Sequence, residues 1–99
     1  MISPRVTLND HCAIMISSTI AHDCRVGEYA FVGPAATICG QVEIGAGVYI
    51  GAGAIVLPRV RIGSSARIGA GSVVADNVAD GVTVLGNPAR SIMKKNWDA

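Results

Sequence analysis

Hydrophobic residues recur in this chain at every sixth position. A step of six from Ile2 lands on Leu8, Ile14, Ile20, Val26, Val32, Ile38, Ile44, Ile50, Val56, Ile62, Ile68 and Val74, all aliphatic and with no insertion. A second track runs from Val6 through Cys12, Ser18, Cys24, Ala30, Ala36, Val42, Val48, Ala54, Val60, Ala66 and Ser72 to Val78, and holds only small or β-branched residues. The residue after the aliphatic one is often glycine: Gly27, Gly33, Gly45, Gly51, Gly63, Gly69. Six fits neither a helix, which repeats at three or four, nor a single strand, which repeats at two. A helix also tolerates this much glycine badly, at about 1 kcal/mol for each interior Gly relative to Ala.

A short strand and a turn in every six residues satisfy the pattern. Three such segments close a triangular coil of eighteen residues. Ile2 then lies under Ile20, Ile38, Val56 and Val74. A second column stacks Leu8, Val26, Ile44 and Ile62, and a third Ile14, Val32, Ile50 and Ile68. Each coil would rise about 4.8 Å, the spacing of hydrogen-bonded strands. The expected fold is all-β: a parallel β-helix of hexapeptide repeats over residues 1–79. Spacing alone does not set its hand, and parallel crossovers are normally right-handed.

The period is expected to stop after Val78. Residues 80–99 read as a capping tail. Asp80-Gly81 signals a turn. A short strand follows within Val82–Arg90, with a turn at Asn87-Pro88, then one or two helical turns over Ser91–Trp97. Trp97 suits packing or an interface, as indoles often do.

Composition narrows the function classes. The chain has 99 residues, enough for one small domain. It is 51% hydrophobic but only 4% aromatic, so aliphatic side chains must fill the interior. The net charge of +1 gives no electrostatic case for nucleic acid or an anionic membrane. No apolar run reaches the length of a membrane span, and the start lacks the regions of a signal peptide. A cytoplasmic location is expected. Cys12, Cys24 and Cys39 form no CxxC, so reduced, packed thiols are expected rather than disulfides.

An aliphatic prism holds no reactive groups, so chemistry must sit on its corners. The histidines are His11 and His22. His22 lies two positions after inward Ile20, and the position stacked on it, eighteen residues on, is Gly40. An outward imidazole beside a glycine with an open backbone N–H suits acyl transfer. The base takes a proton from an attacking amine or hydroxyl, and the N–H stabilises the oxyanion. Asp23 could hold the imidazole tautomer. A surface His-Asp pair with no role is the alternative. His11 falls in the column of Tyr29, Gly47 and Ser65 and reads as a surface residue or an accessory contact. A catalytic zinc needs three protein ligands and an open position. Two histidines on different columns do not supply them, so no metal is expected.

The stretches Ile20-Ala21-His22-Asp23-Cys24-Arg25-Val26-Gly27, Ala36-Thr37-Ile38-Cys39-Gly40, Ile50-Gly51-Ala52-Gly53-Ala54 and Val84-Leu85-Gly86-Asn87-Pro88-Ala89-Arg90 closely resemble one family. They look like the NeuD/PglD-type sugar O- and N-acetyltransferases, within the hexapeptide-repeat acyltransferases. The resemblance implies a left-handed helix. It implies His22 as catalytic base, Asp23 as its orienting acid and the Gly40 amide facing the acetyl thioester. It implies acetyl-CoA as co-substrate, lying between two subunits of a homotrimer past Ala52 and Ala70. The Gly86-Asn87-Pro88 turn would border the nucleotide end of that groove, and the acceptor would be a small sugar-like molecule. Phe31 stands where a related enzyme carries a histidine near the cofactor or acceptor. Family members usually begin with a Rossmann-like sugar-nucleotide domain, whereas this sequence starts inside the coil stack. Its first coil is therefore expected to expose strand edges. A non-enzymatic trimeric scaffold, or a cofactor-binding module without an acceptor domain, is the second reading.

Overall fold

A computed structural model describes residues 1–92 of the chain. The strands wind as a parallel β-helix of three faces, of the left-handed hexapeptide-repeat class. One face, here the Arg25 face, stacks Thr7–Leu8, Arg25–Val26, Glu43–Ile44 and Arg61–Ile62. The Phe31 face stacks Ala13–Ile14, Phe31–Val32, Tyr49–Ile50 and Arg67–Ile68. The Thr37 face stacks Thr19–Ile20, Thr37–Ile38, Ile55–Val56 and Val73–Val74. The expected eighteen-residue lap holds in every one of these pairs, as in Ile20↔Ile38 and Ile38↔Val56.

Each two-residue strand turns one side chain inward and one outward, which is why a single aliphatic position per hexapeptide suffices. Ile20, Val26, Val32, Ile38, Ile50, Val56 and Ile68 are wholly buried. Burying each such side chain is worth roughly 1.5–3 kcal/mol. The small track fills the corners: Cys24, Ala36, Val42, Ala54 and Ala66 are buried as well. Backbone groups bond from lap to lap, as Thr37 N to Ala54 O at 2.8 Å and Cys39 N to Val56 O at 3.0 Å.

Every corner from Arg5 to Gly71 also carries a residue in the left-handed region. Nine are not glycine, among them Arg5, Asp23 and Gln41, with φ between 60° and 64°. Each would cost a free chain about 1–2 kcal/mol. The lap-to-lap hydrogen bonds hold them there. One example is Gln41 N donating to His22 O at 2.9 Å.

The two ends differ. The first lap is open, with Ile2 47% and Leu8 40% exposed. At the other end the last lap is shorter than the six-residue step predicts. Val78 bridges Ile62, and Val84 pairs with Ile68, each sixteen residues on rather than eighteen. Val78 therefore sits in the aliphatic column and not above Val60. Two residues are missing from the turn after Val74, and a valine suits either column, so a fixed step passes over the change. Side chains bond the shortened lap: Asn77 Oδ1 takes the place of a backbone acceptor for Arg61 N at 2.8 Å, and Asp80 Oδ1 accepts from Ser64 N at 2.9 Å.

The tail adds Thr83–Gly86 in parallel and then Ala89–Ser91 in antiparallel, joined by the turn at Asn87 and Pro88. Ser91, expected to open a helical turn, is instead the last residue of this hairpin, paired with Val84. The rest of the expected helical turn from 93 onward, with Trp97, lies outside the described residues. Among the described residues no helix is long and apolar enough to cross a membrane.

Candidate active site

The corner between the Thr37 face and the Arg25 face carries His22 in one lap and Gly40 in the next. His22 follows Ile20 out of the strand, so its ring points away from the prism, and its side chain is 55% exposed. The next lap brings Gly40 against that ring. A Cβ placed on Gly40 would lie 2.8 Å from His22 Nε2 and 2.9 Å from Cε1. Only glycine leaves this room. Gly40 is not in the left-handed region, so close approach and not backbone conformation demands it. Among the described residues the Gly40 N–H donates to no protein acceptor, which leaves it available to a ligand.

Neighbouring side chains on a strand point to opposite faces, yet Asp23 reaches its neighbour. Its left-handed φ of 60° turns the carboxylate back along the corner. Asp23 Oδ2 lies 2.9 Å from His22 Nδ1. Asp23 also binds Arg5 from the lap below, Nε to Oδ1 at 2.7 Å and Nη2 to Oδ2 at 3.2 Å. These bonds, Arg5's first and His22's second, pull the Asp23 carboxyl down to about 2. Asp23 is thus an anion at neutral pH and can only accept hydrogen bonds. His22 Nδ1 must then carry the proton. The lone pair falls on Nε2, the atom against Gly40.

Cys24 completes the support from inside. It is wholly buried. Its thiol donates to the Cys39 carbonyl at 3.1 Å, tying the lap of His22 to the residue before Gly40. Burial pushes this thiol up from its ordinary value, so it stays protonated and serves as a packed donor.

The other residues singled out in the sequence lie elsewhere. Ala52 and Ala70 stack on the corner between the Phe31 and Thr37 faces, with Gly71 N bonded to Ala52 O at 2.9 Å. The whole Thr37 face separates that corner from His22 within one chain. Phe31 points outward from its own face and stacks on Tyr49, ring centroids 5.1 Å apart, with Arg67 over the far side of Tyr49 at 5.8 Å. Gly86 and Pro88 sit in the terminal hairpin. His11 stacks on Tyr29 at 4.9 Å, at a different corner from His22. A concavity on the Arg25 face, lined by Arg25, Glu43, Arg61 and Asn77, includes neither His22 nor Gly40. Among the described residues there is no group of three or more His, Cys, Asp or Glu placed to hold a metal.

Arg5 was missed by the sequence reading. The signal was available, because Arg5 precedes Asp23 by the same eighteen residues that link His22 to Gly40.

Comparison with known proteins agrees with this fold. The bacterial transferase hexapeptide family (six repeats) matches residues 41–76. A search of curated proteins gives no match. Among solved structures, the acetyltransferase domain of PglB from Neisseria gonorrhoeae FA1090 is 32% identical with a TM-score of 0.91, over 92% of this chain and 44% of that one. The same domain in complex with acetyl coenzyme A is 28% identical with a TM-score of 0.83, over 92% and 53%. PerB from Caulobacter crescentus, in complex with CoA and GDP-perosamine, is 32% identical with a TM-score of 0.83, over 94% and 54%. The chain spans about half the length of these structures.

Proposed function

The chain is a hexapeptide-repeat β-helix similar to acetyltransferases, and on that premise we propose that it moves an acetyl group from acetyl-CoA to an amine or hydroxyl of a sugar-like acceptor. One observation carries the reading: the proton-accepting nitrogen of His22 lies against a glycine whose N–H is free. A base and an oxyanion donor side by side are what direct acyl transfer requires. The bound acetyl-CoA, CoA and GDP-perosamine of the similar structures agree with it.

In this reading the acceptor nitrogen or oxygen attacks the thioester carbonyl while His22 Nε2 takes its proton. The Gly40 N–H bonds the developing oxyanion. Collapse re-forms the carbonyl and breaks the carbon–sulfur bond. The departing thiolate recovers the proton from the imidazolium, so the products are acetylated acceptor and free CoA. Asp23 holds the tautomer and stabilises the imidazolium without itself being protonated.

Ala52, Ala70 and Phe31 are proposed cofactor contacts. Because they share no corner with His22 in one chain, a groove that unites them lies between two chains. A cyclic trimer would form three such grooves and close the assembly. Gly86 and Pro88 would border the outer end of each.

Replacing His22 with Ala tests the assignment. Turnover should fall by roughly two to four orders of magnitude, the usual worth of a general base. Acetyl-CoA should still raise the melting temperature, since binding to the native state stabilises by mass action. Undiminished acetyl transfer by His22→Ala would overturn the reading. No thermal shift with acetyl-CoA in the unmodified protein would favour a scaffold instead.

A further inference from the structure

The carboxylate beside His22 is held from two sides. Arg5 grips both of its oxygens, at 2.7 and 3.2 Å, from one lap below. The oxygen that faces His22 Nδ1 at 2.9 Å is the one that Arg5 Nη2 also reaches. Arg5 and His22 are the charged or titratable groups that meet Asp23. Backbone contacts add to the register: Asp23 N lies 3.4 Å from Pro4 O, and Arg5 shares the left-handed φ of Asp23.

Stability does not explain this clamp. The Arg5 side chain is 69% exposed and that of Asp23 36%, and ion pairs at such exposure contribute little. What the fork does offer is orientation. A planar guanidinium bonding both oxygens fixes the carboxylate plane, which a point charge cannot do. A carboxylate free to rotate would hold the imidazole in many orientations, and only some leave Nε2 against Gly40.

We propose that Arg5 is a positioning residue for the transfer reaction: it locks the Asp23 carboxylate, which in turn holds His22 against Gly40. The proposal rests on the acetyl-transfer reading and adds an arm to it, so that three successive positions of one corner (Arg5, then Asp23 with His22, then Gly40) act as a single unit.

A double-mutant cycle tests it. Arg5→Gln should lower kcat by about ten- to hundredfold, the scale on which small misplacements act, with the KM for acetyl-CoA and the melting temperature unchanged. Arg5→Lys should recover part of the loss. In an Asp23→Asn background Arg5→Gln should add nothing, since coupled residues are not additive. Carbon-detected titration of the Asp23 carboxyl, which needs no turnover, should show its midpoint move up from about 2 when Arg5 is replaced. An Arg5→Gln enzyme with unaltered kcat, or with the same loss in both backgrounds, overturns the proposal. The two readings fail separately. Full activity in His22→Ala brings down both, whereas a dead His22→Ala beside a fully active Arg5→Gln brings down only this one.

Discussion

Two corners of the prism carry glycine for different reasons. At the corner between the Phe31 and Thr37 faces, a Cβ on Gly51 would meet Ala70 N at 2.6 Å and Ala70 Cα at 2.8 Å, and one on Gly33 would meet Ile50 O at 2.7 Å. For both of these the obstacle is the backbone of the next lap. At the Gly40 corner every close neighbour of the added carbon belongs to the imidazole of His22. At the first corner these glycines let laps stack; at the other, Gly40 lets a ring lie against the next lap. A glycine crowded only by a half-exposed side chain is dispensable to the fold, and the proposed acyl transfer is what gives Gly40 a purpose.

Substitution separates the two. Gly51→Ala should show the largest loss of stability. Neither lap can retreat without losing the bonds Gly51 N to Ile68 O and Gly71 N to Ala52 O, at 2.8 and 2.9 Å. A cost of about 1–3 kcal/mol is expected for such overpacking. In a domain of this size that lowers the melting temperature by roughly 4–8 °C per kcal/mol, and thermal unfolding measures it. Gly40→Ala should unfold only slightly earlier, because the His22 ring can swing into solvent. Its kcat should nonetheless fall by about a hundredfold, as the proposed base leaves its place. Equal melting temperatures for the two variants would erase the distinction between the corners.

The smallest effect concerns pH. The Asp23 carboxyl titrates near 2 in the folded chain and near 3.9 when unfolded. Its contribution to stability is therefore complete above about pH 4 and is lost as the pH falls toward 2. Asp23→Asn should remove that small contribution at neutral pH, flatten the stability curve between about pH 4 and 2, and cost nothing at lower pH. Chemical denaturation at a series of pH values reads the difference, which exposure keeps small.

Much of the fold was legible because the repeat is strict. One aliphatic residue per six, in register over four laps, leaves a single way to bury Ile20, Ile38 and Val56 together. The neighbourhood of His22 and Gly40 followed from the same addition of eighteen. The contact of His22 with Asp23 did not, because it depends on the left-handed φ of Asp23, which strand alternation does not encode. The missing pair of residues after Val74 was hidden by an apolar residue acceptable in both columns. Ser91 was misread because its pairing with Val84 is set across the turn at Asn87 and Pro88, beyond the reach of local helix propensity.

The shortened lap has a consequence for how such a chain can change over evolutionary time. A stack of identical laps contains no instruction to end. Here the omission of two residues, the carboxamide of Asn77, the carboxylate of Asp80 and the reversed strand at Ala89–Ser91 together write the full stop. Gene duplication of an eighteen-residue unit beneath that terminator would lengthen the prism while leaving its finish intact, so length and ending are inherited as separate traits.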